Sequence, residues 1–286
     1  MARFHKMLRN YLEVLKPRAT ALLTFIGFSA AIIAGAGQPP ADKLFLVLIT
    51  ILLGSAGVNG LTNYLDRDID ARMRRTRYRV LPSKRIAPPE KALALTVFLI
   101  IIGLGLSWWL HPLSFMAGLT GTVAAIVGRK RATCVFPQGM LASCAPVLVG
   151  WFAIRPAFSW ELVLLCVLIA VWLPLHVWSV MITNRDDYIG AGLTFFPMNR
   201  EVREAVSVLL PFSLVLAVTA ITLYFVADFG WFYLAVVSLL SVIMVYSTLR
   251  LVASKASADA WKLYKLSTYP YLGLIFLVMC LDIWLL

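Results

Sequence analysis

Three aspartates, Asp66, Asp68 and Asp70, fall within five residues of the segment TNYLDRDIDARMRRTRYRVLPSKR (62–85), and Arg72, Arg74, Arg75, Arg77 and Arg79 follow at once. Asp66 and Asp70 are four residues apart, so a helix continuing through them sets both carboxylates on one face. Like charges at that spacing repel unless a cation lies between them. Mg²⁺ suits that place, because it is held by one or two carboxylates and completes its shell with water and substrate phosphate. Guanidinium groups grip phosphate oxygens in bidentate fashion. Carboxylates followed by arginines thus form a candidate metal–diphosphate site. The alternative is that the aspartates only pair with the arginines of a basic loop.

A second acidic cluster lies in WLPLHVWSVMITNRDDYIGAGLTFFPM (172–198), where Asp186 and Asp187 follow Arg185 and precede Tyr188. Its apolar half carries His176, about two turns inside a stretch long enough to cross a bilayer. An ionisable side chain in a membrane helix is a functional candidate. Histidine can ligate haem iron or act as an acid or base, and the competing reading is a hydrogen-bonded packing histidine. Arg129, Lys130 and Arg131 form a third polar cluster, which either binds phosphate or only sets topology.

The elements that must position these residues are apolar. The 286-residue chain is 61% hydrophobic and 14% charged, whereas soluble domains carry about 25% charge. Its apolar residues gather in runs of a length that spans a hydrocarbon core of about 30 Å. In lipid the backbone must satisfy its own hydrogen bonds, so these runs are expected to be helices. Nine spans are predicted, at 19–36, 43–65, 92–110, 112–128, 137–154, 160–183, 205–227, 229–252 and 268–286. The fold class is therefore an all-α integral membrane bundle in a single domain over 1–286. No cleavable signal segment is expected at the start.

The formal net charge is +12, and its distribution argues against nucleic acid as the partner. With alternating loops, one side receives 24 of the 26 Lys and Arg residues, and the other only Lys43 and Arg155. Basic residues gather on the cytoplasmic side of membrane proteins, so the N-terminus is expected in the cytoplasm and the C-terminus outside. Both acidic clusters then lie at cytoplasmic helix ends and could converge on one site. The basic surface also favours anionic membrane lipid. Cys134, Cys144, Cys166 and Cys280 form no CxxC pair and read as small apolar fillers.

With both motifs in view, the chain resembles the UbiA superfamily of intramembrane prenyltransferases, and within it the haem O synthases, or protohaem IX farnesyltransferases. That family's first motif is like N-x-x-x-D-R-D-I-D-x-x-M-x-R-T-x-x-R-x-L. Here DRDID stands at 66–70, with Met73, Arg75, Thr76, Arg79 and Leu81 in step. The second is like W-x-x-P-H-F-W followed by D-D-Y-x-x-A-G-x-P-M-L-P. Trp172, His176, Trp178, Asp186, Asp187, Tyr188, Ala191, Gly192 and Pro197 fit it. Weaker echoes lie at Lys130, Arg131 and Thr133, at Pro146 with Gly150 and Trp151, and near 260–276. The chain departs from the pattern at Thr62, where the family has Asn, at Asn184, where it often has Arg, and at Phe195 and Phe196.

The resemblance implies a nine-helix fold and a Mg²⁺-dependent transfer of a farnesyl group from farnesyl diphosphate to a vinyl group of haem b. It implies metal binding by Asp66, Asp70 and Asp187, and a catalytic role for these and for His176. It implies substrate contacts from Thr62, Asn63, Arg75, Arg79, Lys130, Arg131, Arg185, Asp186 and Tyr188. Haem is then a substrate rather than a cofactor. A homo-oligomer, or a complex with another haem-pathway enzyme, is a further expectation. The alternatives are a UbiA-type transferase with a quinone-precursor, chlorophyllide or glycerophosphate acceptor, a membrane transporter, and a non-catalytic assembly factor.

Overall fold

The computed structural model describes residues 2–127 and 137–285, with side chains from Phe4 onward. Lys130 and Arg131, with Arg129, Thr133 and Cys134, lie outside the described residues. Every regular element described is helical. In chain order the elements are α1 (Ala2–Val14), α2 (Pro17–Ala34), α3 (Ala41–Arg72), α4 (Glu90–Leu110), α5 (Pro112–Ile126), α6 (Gln138–Ile154) and α7 (Trp160–Thr183). They continue with α8 (Arg185–Gly190), α9 (Val202–Ser207), α10 (Leu209–Val226), α11 (Trp231–Ser254) and α12 (Ser257–Leu266). A π-helical turn (Ser267–Gly273) then leads into α13 (Leu274–Leu285).

Seven stretches are long and apolar enough to cross a membrane. They comprise α2, α3, α4, α7, α9 with α10, α11, and the run from α12 to α13. The chain is a multi-pass integral membrane protein. The expected fourth and fifth spans appear as the shorter apolar helices α5 and α6, of 15 and 17 residues. At 1.5 Å rise per residue these fall short of the about 20 residues that a perpendicular crossing takes.

Two helices outrun their predicted spans. α3 continues past residue 65 to Arg72, so the DRDID motif rides on the same helix as the apolar span before it. The last stretch begins at Ser257 rather than 268, because the polar α12 leads into it.

Helix starts follow local chemistry. Pro17 opens α2 and Pro112 opens α5, each at a position where the missing N–H costs nothing. His111 accepts the Leu113 N–H at 3.1 Å, and Ser159 accepts the Leu162 N–H at 3.4 Å, which caps α5 and α7. Asp282 near the end of α13 accepts from the N–H groups of Gly230 (2.5 Å) and Tyr233 (3.0 Å), capping α11 from across the chain.

Small residues let the helices touch where no side chain fits. A Cβ at Gly150 of α6 would run into the carbonyl oxygen of Gly27 in α2, and one at Gly27 would lie 2.5 Å from the Pro146 oxygen. Such close approach is how membrane helices pack without a hydrophobic driving force between them. Leu165, Leu168, Ile169, Leu175, Met244 and Phe276 belong to the bundle's main buried core.

Trp109, Trp160, Trp231 and Trp284 are exposed at the helix ends remote from the acidic motifs, as expected of an aromatic belt. Cys144, Cys166 and Cys280 are free thiols.

Because α2 and α6 meet backbone to backbone, Gly150→Val should force them apart. We expect overpacking to remove about 1–3 kcal/mol of stability. Thermal unfolding of the detergent-solubilised protein measures this, and an unchanged melting temperature would refute the crossing.

Candidate active site

The extension of α3 to Arg72 sets Asp66 and Asp70 on one face of a single helix. Asp70 is buried, with 6% of its surface exposed, whereas Asp68 is exposed and lies 3.8 Å from Arg67. α3 ends at Met73, whose backbone is extended. The chain then doubles back in turns over 74–85, held by two bonds: Thr76 donates to the Asp70 carbonyl at 3.0 Å, and Arg79 donates to the Asp70 carboxylate at 2.8 Å.

Asp187 joins this turn from far along the chain. Its two carboxylate oxygens accept the main-chain N–H groups of Arg74 (2.6 Å) and Arg75 (3.0 Å). Arg75 also donates to the Tyr188 hydroxyl at 3.4 Å. The two acidic motifs therefore meet at one end of the bundle, as their spacing in sequence could not show.

α8 is aimed at the turn by its loop. Arg185 donates to the carbonyls of Pro197 (2.9 Å), Met198 (3.0 Å) and Arg200 (2.6 Å). Its guanidinium therefore fastens the loop after α8. Gly192 closes α8 at φ +85°, a conformation that favours glycine, beside the Arg72 guanidinium.

A polar cavity of about 160 Å³ opens beneath the first motif, lined by Glu13, Lys16, Asn63, Asp70, Arg79 and Pro82 among others. Lys16 donates to the Thr62 hydroxyl at 3.2 Å, which in turn donates to the Asn59 carbonyl at 2.8 Å. Thr62 thus serves as a polar relay where the family pattern has Asn. Asn63 gives its amide to the Val14 carbonyl at 2.6 Å and leaves its Oδ1 buried with no hydrogen-bond partner. An orphaned acceptor beside a carboxylate, an arginine and a lysine marks a place built for a polar guest. Lys16 carries no signal of its own in the sequence, because its charge reads as part of the topological excess.

On the other side of the Asp187 contact, Arg74, Arg75, Asn184, Asp186, Asp187 and Lys255 line an open cleft of about 540 Å³. An apolar cavity of about 90 Å³ lies within the bundle between α3, α4, α5 and α6, bordered by Ile51, Val58, Ile100, Leu104 and Val149. Glycines widen its wall, and a Cβ on Gly54 would meet nothing within 4 Å.

His176 sits apart from these contacts. Its ring stacks on Trp172 (4.8 Å, 16°), faces Tyr264 (4.8 Å, 33°) and has its Nδ1 3.1 Å from the Ser267 hydroxyl. The packing reading of this residue is met on three sides, and among the described residues no hydrogen bond or ring contact joins it to either acidic motif.

Among the described residues, no three His, Cys, Asp or Glu side chains converge into a ready metal cage. The donor set nevertheless suits Mg²⁺, being all oxygen and short of a full shell, since this ion draws its remaining ligands from phosphate and water.

A sequence model of the UbiA prenyltransferase family matches residues 21–269. A protoheme IX farnesyltransferase of Desulforudis audaxviator is 34% identical over 99% of this chain and 90% of its own length. Among solved structures, that of a digeranylgeranylglyceryl phosphate synthase superposes with a TM-score of 0.79 at 17% identity, covering 98% of this chain and 99% of its own. A UbiA homolog from Archaeoglobus fulgidus bound to GPP and Mg²⁺ superposes with a TM-score of 0.66 at 17% identity, covering 96% and 99%. Both structures share the fold of this chain.

If Asp187 ties the turn, Asp187→Ala should speed amide hydrogen exchange at Arg74 and Arg75 by about tenfold or more, from loss of bonds worth about 1.5–3 kcal/mol. Asp186→Ala, at an exposed carboxylate, should leave it unchanged. Equal effects of the two variants would disprove the tie.

Proposed function

The chain belongs to the UbiA prenyltransferase family, and on that premise we propose that it transfers a farnesyl group from farnesyl diphosphate to a vinyl group of haem b. Water completes the hydroxyethylfarnesyl substituent, giving haem O, diphosphate and a proton. The observation that carries the reading is the contact of Asp187 with the amides of Arg74 and Arg75, which joins two acidic motifs and an arginine cluster. The haem acceptor is supported by the name of the full-length relative at 34% identity.

Asp66, Asp70 and Asp187 are the residues to hold Mg²⁺. Bound there, the ion supplies Lewis-acid neutralisation of the diphosphate. Arg75, Arg79 and Lys16 add positive charge where the leaving group gains negative charge, and Lys130 and Arg131, which lie outside the described residues, are assigned to the diphosphate on their motif alone. Asp70 holds the Arg79 guanidinium in place through their 2.8 Å bond. Thr62 holds the Lys16 ammonium that faces the diphosphate, and the orphaned Asn63 Oδ1 can accept from a water on the metal or the diphosphate. Asp186 borders the open cleft, the Tyr188 hydroxyl meets the Arg75 guanidinium, and Arg185 fastens the following loop.

The allylic C–O bond breaks as charge passes to the diphosphate. Apolar surfaces deep in the bundle, such as Ile51, Ile100 and Val149, suit the distal farnesyl tail, and the vinyl carbon attacks the cationic carbon left at the diphosphate end. The new cation beside the porphyrin then takes up water and releases a proton. His176 acts on the porphyrin rather than on the diphosphate, in keeping with its distance from the acidic contacts. The acidic end faces the cytoplasm with the N-terminus, and the C-terminus lies outside, which agrees with the 24 basic residues on that side. Farnesyl chain, porphyrin body and membrane lipid are all apolar, so a site at the membrane boundary serves both the tails and the charged groups.

The test is a reaction of the purified protein with haem b, farnesyl diphosphate and Mg²⁺, read by mass spectrometry. We expect the haem O mass, its loss on chelation of Mg²⁺, and a fall of about 10²–10³-fold in Asp66→Ala. Mg²⁺-independent product, or full activity in Asp66→Ala, would contradict the assignment.

A further inference from the structure

The bonding around His176 fixes more than its position. Ser267 is fully buried at the start of the π-helical turn, where α12 gives way to α13. Its hydroxyl contacts two groups: the Tyr264 carbonyl at 2.8 Å and the Nδ1 of His176 at 3.1 Å. A serine hydroxyl has one proton to donate. The carbonyl can only accept, and it is the nearer partner, so that proton goes to Tyr264. The serine oxygen must then accept from His176, which requires the proton of the neutral imidazole to be on Nδ1. Nε2 is left with its lone pair and, among the described residues, has no hydrogen-bond partner.

The surroundings hold the ring in that state. Trp172 covers one face, and Tyr264 packs against the ring at the same centroid distance of 4.8 Å. Trp172 is itself locked, because its indole N–H donates to the Ser267 carbonyl. One residue of the last membrane stretch therefore grips both the histidine and the tryptophan of α7. Packing between Trp172 and Tyr264 limits tilting of the ring, His176 is half-buried rather than fully enclosed, and a metal approaches histidine along the ring plane. An imidazole that ligates through one nitrogen while donating its other N–H to an oxygen is the usual arrangement of a metal-binding histidine.

We propose that Ser267 is a positioning residue that holds His176 in the Nδ1–H tautomer, so that Nε2 coordinates the iron of the porphyrin acceptor. The assignment rests on the proposed function for its acceptor. Coordination fixes the porphyrin relative to α7, whose cytoplasmic end leads directly into Asp186 and Asp187. No bond to the porphyrin carbon skeleton changes in this step, and no electron is transferred.

The test titrates full-length protein in nanodiscs with ferric haem b and reads the Soret band together with electron paramagnetic resonance. Metal-free protoporphyrin IX, followed by fluorescence, reports the porphyrin site without the iron. We expect a nitrogenous axial ligand in the wild type and its loss in His176→Ala. Ser267→Ala should weaken haem binding by about 10–100-fold, and Ser267→Thr, which keeps the hydroxyl, should restore it. Protoporphyrin affinity should stay within about twofold throughout, since loss of a single outer-shell contact acts on the metal.

A wild type without an axial nitrogen, or an unchanged haem spectrum in His176→Ala, would overturn the assignment while haem O formation left the proposed function standing. Parallel losses of haem and protoporphyrin binding in Ser267→Ala would reduce Ser267 to a packing residue and overturn it as well. A wild type that binds neither porphyrin would overturn both the assignment and the haem reading.

Discussion

A carboxylate that accepts two main-chain N–H groups holds the catalytic end of this molecule together. Asp187 reaches residues 113 and 112 positions away in the chain, Arg74 and Arg75, at the point where α3 has ended and their amides have no helical partner. Amides left open at a chain reversal attract an anion, and a carboxylate bonded to both is fixed in angle as well as distance. The contact ties the end of α3 to the end of α7, so the arginines after the first motif and the aspartates of the second face a common space.

The bilayer dictates why this chemistry lies at helix ends. Within the hydrocarbon each backbone group is satisfied by its own helix, and the packing there depends on close glycine contacts such as Gly27 with Gly150. Several polar chains that enter the bundle are bonded in pairs and relays. Lys16 rests on Thr62, Thr62 on the Asn59 carbonyl, and His176 on Ser267. Charged groups collect where α3 and α7 emerge, and tryptophans collect at the opposite ends. The fold thus sets apolar space and a charged end along one axis.

Much of this is legible in the sequence. Apolar run length locates the helices, and the four-residue spacing of Asp66 and Asp70 gives their common face once α3 is found to continue. Basic-residue asymmetry sets both motifs at the same end. The rest depends on contacts that spacing does not encode. Asp187 reads as a metal ligand but also carries the chain reversal. Arg185 reads as a substrate contact, yet its guanidinium is engaged by the carbonyls of Pro197, Met198 and Arg200. Lys16 is hidden among the basic residues that orient the protein. Ser267 carries no signal beyond the weak likeness of 260–276 to the family. The short α5 and α6 match the predicted spans 112–128 and 137–154 to within two residues, with Pro112 and Pro137 at their starts.

The central claim is that the two acidic motifs form one metal–diphosphate site. Hydrogen exchange of the full chain in nanodiscs, with an unreactive farnesyl diphosphate analogue added with and without Mg²⁺, tests it most directly. The account predicts that 66–76 and 184–190 gain protection together, at the same analogue concentration, and only when Mg²⁺ is present. Protection of one segment alone, or of both without Mg²⁺, would contradict it.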